Sequence, residues 1–167
     1  MKRHIAYLKY IIRHKWYVFL ACRKLGVSLR QAIMHDMSKF LPGEWFPYAR
    51  TFYEKDGSGR YVETKEFRHA WNRHLKLNPH HWQYWILNFD NGKTAILQMP
   101  IKYIHEMIAD WMGAGKAING NWSPTEWYLE RKDKINIHEN TRAIVEGILY
   151  ILPNIIDNIE NKKKENK

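Results

Sequence analysis

Four residues of types that bind divalent metals are the most informative feature of this chain. They are His14, the adjacent pair His35 and Asp36 in MHDMSKF, and Asp110 in IHEMIADW. Imidazole nitrogens and carboxylate oxygens together suit divalent Mn, Mg, Fe, Co or Ni. The single cysteine, Cys22, excludes an internal disulfide and a cysteine-rich zinc site. The pattern predicts one divalent ion held by these four residues, and metal-assisted hydrolysis as the chemistry.

Two further side chains lie one helical turn from this set. Lys39 follows His35 by four positions, so its ammonium group could hold a phosphate or stabilise developing charge. Glu106 precedes Asp110 by four positions and could accept a hydrogen bond from a ligand histidine or act as a base, although a paired surface carboxylate fits equally well. The candidate catalytic residues are therefore Asp36, Lys39 and Glu106.

Three more imidazoles, those of His74, His80 and His81, fall close together in HAWNRHLKLNPHHW. They could hold a second metal ion, bind phosphate, or hydrogen-bond a tight corner between helices. His69 lies five residues before His74, so on a helix the two face about 140° apart and at most one enters a given site. The candidate substrate-binding residues are therefore Lys39, His74, His80 and His81.

Helical patterns cover most of the chain and must bring these segments together. Apolar spacing and capping residues predict helices over residues 4–25, 28–40, 43–53, 64–76 and 79–87, one opened by Pro100 that carries Asp110, one after Ser123, and a last one over 139–158. The dipeptide Asn91-Gly92 between apolar residues allows a small β-hairpin near 88–99. The predicted fold class is all-α, a compact bundle with room for this hairpin.

The helix faces predict how deeply two of the ligands are buried. His14 shares its side of the first helix with Tyr7, Tyr10 and Val18, so its imidazole should point into packed surroundings. Asp110 lies opposite a stripe of isoleucines. It is therefore either solvated or part of a central helix that is buried on both faces.

Length, charge and apolar content limit the class of protein. The 167 residues suit one domain, residues 1–159, followed by a basic and disordered tail over 160–167. The apolar stretches are too short to cross a bilayer and no signal-peptide pattern is present, so a cytoplasmic protein without a membrane partner is expected. The net charge of +10 is spread without an arginine-rich block, which favours a small anionic substrate over nucleic acid.

The segment HDMSK resembles the His-Asp-x-Gly-Lys signature of HD-domain metal-dependent phosphohydrolases, with Ser38 where those enzymes often have Gly. The order of an early His, a His-Asp pair and a late Asp is also similar. The resemblance implies an HD-like helical bundle in which His14, His35, Asp36 and Asp110 bind one ion, sometimes with a second ion on further histidines. HDMSKF and NPHHWQYW also resemble a group of uncharacterised bacterial and bacteriophage proteins, which implies no activity.

The expected function is a phosphohydrolase that uses a metal-activated water on a nucleotide or other small phosphate ester. Two alternatives stay open: an HD-type di-iron oxygenase, and a non-catalytic basic protein that binds nucleic acid or a partner through a degenerate site. Metal analysis would distinguish the di-iron oxygenase from the hydrolase. Salt-dependent binding by a protein that contains no metal would indicate the non-catalytic alternative. The oligomeric state is left open by the sequence.

Overall fold

A computed structural model describes the backbone of residues 1–165 and the side chains of residues 1–153. The elements in chain order are α1 (Lys2–Lys24), α2 (Leu29–Met34), a first 3-10 helix (Met37–Phe40), α3 (Pro42–Phe52), α4 (Lys65–Leu77), a second 3-10 helix (Trp82–Trp85), β1 (Ile86–Asn88), β2 (Thr94–Ile96), α5 (Ile101–Asn119), α6 (Thr125–Leu129), a third 3-10 helix (Lys132–Lys134) and α7 (Glu139–Glu165). The all-α class with one small hairpin is confirmed. The backbone of α7 continues to Glu165, into the segment 160–167 that was predicted as a disordered tail, and the side chains of that segment lie outside the described residues.

The long helices α1 and α5 pack against each other at the centre of the fold. Gly113 makes their close approach possible, because a Cβ atom at this position would lie 2.4 Å from Val18 Cγ2 and 2.6 Å from the Val18 backbone nitrogen. Helix α5 is buried on both faces, as expected for a central helix, with Ile104 and Ile108 on one side and Glu106 on another.

Two apolar clusters flank the middle of α1. The larger cluster gathers side chains from α1, α5 and α7, including Val18, Met112 and Leu149. The smaller one packs α1 against α3 and α4 through residues such as Ile11 and Phe67. The turn of α1 that carries His14 lies between the two clusters, so a polar side chain there is enclosed by apolar packing on either side.

Three of the predicted helices, those over 28–40, 79–87 and 139–158, differ from the structure, and the last of them continues to Glu165. Helix α2 stops at Met34 instead of continuing to residue 40, because the chain turns at the next two residues and resumes as a 3-10 helix. The predicted helix over 79–87 is wrong: this segment forms the second 3-10 helix and enters β1. Asn78 does not cap a new helix, since its side-chain amide donates to the His74 carbonyl (2.8 Å) and to Ser38 Oγ (2.9 Å).

The hairpin is antiparallel, with Ile86 paired to Ile96 and Asn88 paired to Thr94. It lies slightly earlier in the chain than the range predicted for it. Within the part of the chain that the structure describes, every helix is too short or too polar to cross a membrane.

Candidate metal centre

An unusual backbone turn brings His35 and Asp36 to the same place. Asp36 has φ 55° and ψ 23°, which makes it the one residue other than glycine with a positive φ among the described residues. This left-handed conformation costs a non-glycine residue about 1 kcal/mol, although Asp tolerates it better than most. On a continuous helix the two side chains would diverge by about 100°, and the turn removes that divergence. Lys15 fixes the turn by donating to the carbonyls of Ile33 and His35.

The first group of potential metal ligands joins α1, this turn and α5. It contains His14, His35, Asp36 and Asp110, whose ligand atoms all lie within 4.8 Å of one another. Asp110 Oδ1 is 3.2 Å from His14 Nε2 and 3.4 Å from His35 Nε2. Asp36 Oδ2 is 3.6 Å from His14 Nε2 and 3.4 Å from His35 Nε2. The four residues predicted from the sequence as one set therefore meet, and Asp110 faces them instead of the solvent.

The other oxygen of Asp36 faces a second group of potential ligands. Asp36 Oδ1 lies 3.3 Å from His74 Nε2 and 3.4 Å from His80 Nε2. His81 Nε2 is 2.8 Å from His74 Nε2, and the three histidines with Asp36 again fall within 4.8 Å of one another. His69, by contrast, is exposed on α4. Asp36 is thus shared by two sets of ligands, one on each of its oxygens.

The spacing and the burial of these atoms fit bound cations. Two ligands bonded to one ion at about 2.1 Å are about 3.0 Å apart in octahedral and about 3.4 Å apart in tetrahedral geometry. The separations quoted above cover this range. The Nε2 atoms of His14, His35 and His80 are buried without a hydrogen-bond partner, and so are Asp36 Oδ1 and Asp110 Oδ1. Such atoms cost free energy unless a ligand satisfies them, so the residues present fit a metal.

Glu106 orients one histidine from each group. Its Oε1 lies 3.0 Å from His35 Nδ1 and 3.4 Å from His80 Nδ1, and its Oε2 accepts a hydrogen bond of 2.5 Å from Gln31. Burial would raise the pKa of Glu106, but the hydrogen bonds from His35 and His80 lower it to about 2. An ionised carboxylate on Nδ1 holds the proton there and leaves Nε2 free to bind a metal. Of the two roles raised by the sequence, this geometry favours accepting a hydrogen bond from a ligand histidine.

Glu44 orients His74 through its Nδ1 atom in the same way, and this residue was not predicted from the sequence. Glu44 is fully buried, with Oε2 2.8 Å from His74 Nδ1 and accepting a hydrogen bond of 3.0 Å from Ser38 Oγ. Ser38, the residue that departs from the His-Asp-x-Gly-Lys signature, thereby becomes part of the support for the second group. A glutamate two positions after Pro42 carries no sequence signal that distinguishes it from an ordinary acidic first turn.

Burial and neighbouring charges shift the pKa values of the site's side chains in different directions. Burial would raise the pKa of Asp36, but His35 and Lys39 hold it well below its usual range. Burial would lower the pKa of His35, but Asp36 and Asp110 raise it instead. A bound cation would replace the proton that this histidine otherwise holds. Burial lowers the pKa of His80 and His81, which keeps both imidazoles neutral, the form that binds metals.

Lys39 connects the site to a cavity. Its Nζ is 2.5 Å from Asp36 Oδ2, and it also lines a cavity of about 460 Å³ between α1, α3 and α4. Burial would lower the pKa of Lys39, but the carboxylate of Asp36 raises it, so the ammonium group stays charged. The aromatic residues Trp82, Tyr84 and Trp85, which follow His81 in the chain, do not line this cavity, and Trp82 and Trp85 pack against the larger apolar cluster instead.

The chain belongs to the family DUF5662, a family of unknown function, whose model matches residues 3–151. Both candidate ligand groups lie within the matched segment. The comparisons with curated proteins and with solved structures gave no match.

Proposed function

We propose that this protein is a metal-dependent phosphohydrolase of the HD type that acts on a small phosphate ester. One observation carries the proposal: two buried sets of His and Asp ligands share Asp36, next to a lysine that lines a cavity. Such a pair of neighbouring sites suits the in-line displacement of a phosphate ester. The HD resemblance of HDMSK adds support from the sequence.

The first ion would be held by His14, His35, Asp36 and Asp110, and a second by Asp36, His74, His80 and His81. The sequence predicts one ion and leaves room for a second, and the second ligand group supports two. Bound ions would supply Lewis acidity, which activates a water and neutralises phosphoryl charge. Imidazole-rich ligand sets favour Mn, Fe, Co or Ni over Mg, which prefers oxygen ligands.

The protein's own side chains would bind and orient the ester. Lys39 presents an ammonium group beside Asp36 and can donate to a phosphoryl oxygen with the N–H groups that Asp36 does not use. Glu106 and Glu44 keep the ligand histidines in one tautomer and orientation. The apolar clusters on both sides of the site limit the access of bulk water, which strengthens these charge interactions.

A phosphate-release assay tests the proposal. Purified chain supplied with Mn²⁺, Fe²⁺, Co²⁺, Ni²⁺ or Mg²⁺ is screened against nucleotides and sugar phosphates. We expect release by the native chain and its loss in Asp36→Asn, which removes the shared charge at nearly constant volume. The matched control is Asp133→Asn on the exposed third 3-10 helix, which should retain activity. Equal release by native chain and Asp36→Asn would contradict the proposal.

A second candidate function, oxygen activation by two irons, is favoured by the three histidines of the second ligand group. Iron accepts such imidazole and carboxylate ligands readily. Anaerobic purification followed by iron analysis and absorption spectroscopy would distinguish the two. Two irons per chain with oxygen consumption and no phosphate release would favour the oxygenase.

A further inference from the structure

An apolar stripe runs along the side of α1 that faces away from the candidate ligand groups. Three of its side chains, Leu8, Ile12 and Trp16, fall within about 80° of one another around the helix axis. Ile12 is 58% exposed and Trp16 is 57% exposed. His14 lies about 160° from Ile12, on the buried side of the helix. The stripe therefore presents large apolar side chains to the outside.

Exposed side chains from the elements that follow α1 extend this stripe. Two adjoining clefts share Phe40: one includes Trp16 and Ile33, between α1 and α2, and the other includes Leu8 and Phe46, between α1 and α3. Together these elements form one apolar face, which consists of Leu8, Ile12, Trp16, Ile33, Phe40 and Phe46.

The area of the apolar face is large for a monomer. Its six side chains are between 37% and 58% exposed and together present on the order of 600 Å². The largest apolar patch of a typical monomer covers about 300 to 600 Å² and often serves binding. Each partner of a stable protein interface contributes about 800 Å², which is more than this face provides.

The charge of the chain is concentrated in the elements that form this face. Residues 1–53 contain ten basic and two acidic residues, a net charge of +8 out of the +10 of the whole chain. Both acidic residues, Asp36 and Glu44, are 0% exposed. Lys9 and Arg13 are exposed at one edge of the stripe, about 60° and 100° from Ile12. The surface that residues 1–53 present is therefore basic as well as apolar.

This combination fits an anionic membrane surface better than a second copy of the chain. Two copies related by a twofold axis would bring the Lys9 and Arg13 side chains of both close together, over less area than a stable dimer buries. A bilayer with anionic lipids accepts large apolar side chains at the level of its headgroups and attracts Lys and Arg. Trp is enriched at this depth, and Trp16 is a central member of the face.

We propose that the apolar face binds the headgroup region of anionic bilayers, with α1 parallel to the bilayer plane. Ile12, Trp16 and Phe40 insert among the headgroups, while Lys9 and Arg13 lie at the level of the lipid phosphates. A helix that lies on a bilayer needs no segment long enough to cross it, so the apolar stretches that are too short to span do not oppose this role. The inference goes beyond the proposed hydrolase function and does not depend on it.

Vesicle flotation of the full chain tests this inference. Vesicles of phosphatidylcholine with about 40% phosphatidylserine are compared with vesicles of phosphatidylcholine alone. We expect about tenfold or tighter binding to the anionic vesicles, and loss of most of this preference at about 1 M NaCl, where the charges are screened. Equal binding to both kinds of vesicle would overturn the proposal. Binding to neither would also overturn it, and would point to an acidic protein surface as the partner.

Substitutions on the face separate insertion from a general attraction of a basic protein to anionic lipid. Ile12→Gln combined with Trp16→Gln should weaken binding to anionic vesicles about tenfold or more, because the apolar side chains no longer insert. The matched control is Ile151→Gln combined with Tyr150→Gln, at exposed positions of α7, which should leave the affinity unchanged. Both double variants should keep the native helix signal. Native affinity in the first double variant would overturn the assignment of the face.

The charged edge of the face is tested separately. Lys9→Glu should weaken binding to anionic vesicles about fivefold to thirtyfold, since each basic residue near such a surface contributes a factor of about five. Lys93→Glu makes the same change in net charge at an exposed position of the hairpin and should have a smaller effect. Equal effects of the two substitutions would assign the attraction to net charge alone and overturn the role of this edge.

Sedimentation of the lipid-free chain tests a second copy as the occupant of the face. We expect Ile12→Gln combined with Trp16→Gln to leave the sedimentation coefficient of the native chain unchanged. A native dimer that this double variant dissociates would show that a second copy covers the face, and would overturn the membrane assignment.

Discussion

Replacing Gly113 with alanine tests whether the packing of α1 on α5 sets the geometry of the candidate metal centre. The added Cβ would lie 2.4 Å from Val18 Cγ2, 2.6 Å from Val18 N and 2.9 Å from Val18 Cα. Ordinary carbon contacts are about 3.5 Å or longer, so the helices must separate locally by about 1 Å. Such overpacking destabilises a core by about 1 to 3 kcal/mol.

The same separation should weaken metal binding, because α1 carries His14 and α5 carries Asp110. Their ligand atoms are 3.2 Å apart, and a shift of about 1 Å would bring them close to the limit that two bonds of about 2.1 Å can span. We therefore expect Gly113→Ala to raise the Kd for Mn²⁺ by about tenfold to a hundredfold, the range known for disturbed ligand positioning. For a chain of this size, a loss of about 2 kcal/mol lowers Tm by about 4 to 8 °C.

Thermal unfolding followed by circular dichroism and Mn²⁺ titration measure the two effects. Gly147→Ala in α7 is the matched control, since a Cβ there meets nothing within 4 Å; it should raise stability by up to about 1 kcal/mol and leave the Kd unchanged. Adding Val18→Ala to Gly113→Ala should restore only part of the loss, because the contacts with the Val18 backbone remain. A Gly113→Ala variant with native Tm and native Kd would refute this reasoning.

Three other predictions follow from the site and its surroundings. Glu106→Gln should raise the Kd for Mn²⁺ about tenfold or more without loss of helix signal, because the charged partner of His35 and His80 is gone; an unchanged Kd in titration would exclude a positioning role. Removing metal with a chelator should lower Tm by about 5 to 10 °C and readdition should restore it, since saturation at about a hundred times Kd stabilises by about 2.7 kcal/mol; identical melting curves would contradict this. Burial raises the pKa of Tyr48 in the folded chain above the value of about 10 that the phenol has in the unfolded chain. The free energy of unfolding should therefore be constant below about pH 10 with respect to this group and should fall above it. In urea titrations, the free energy of unfolding of the native chain should fall by about 1.4 kcal/mol more than that of Tyr48→Phe between pH 8 and pH 11. Equal decreases in the two proteins would contradict this prediction.

The helices that carry the ligands could be predicted because their signals are local. Tyr7 and Val18 recur on the same side of α1 as His14, and the structure buries that side. For Asp110 the sequence left solvation and burial open. Both faces of α5 are apolar enough to be covered, which the structure confirms.

The positions that depend on long-range contacts could not be predicted in the same way. Residues His35 and Asp36 continue a helical pattern, and the turn there is fixed by Lys15, a residue of a different helix. Asn78 looks like a helix cap in sequence, but its side chain is engaged by His74 and Ser38. The hydrogen-bond partners of a polar side chain such as Asn78 depend on which distant segments pack beside it. Helix propensity and capping preference alone therefore predict a helix over 79–87 that the structure does not contain.

Metal stoichiometry tests most directly the central claim that Asp36 is shared by two metal sites. Elemental analysis of chain purified from medium supplemented with manganese or iron should give about two ions per chain, as expected for a paired site. His14→Ala should retain about one ion, since the second ligand group does not include His14, whereas Asp36→Asn should lose both. A native chain without metal under these conditions, or an Asp36→Asn variant that keeps both ions, would contradict the account.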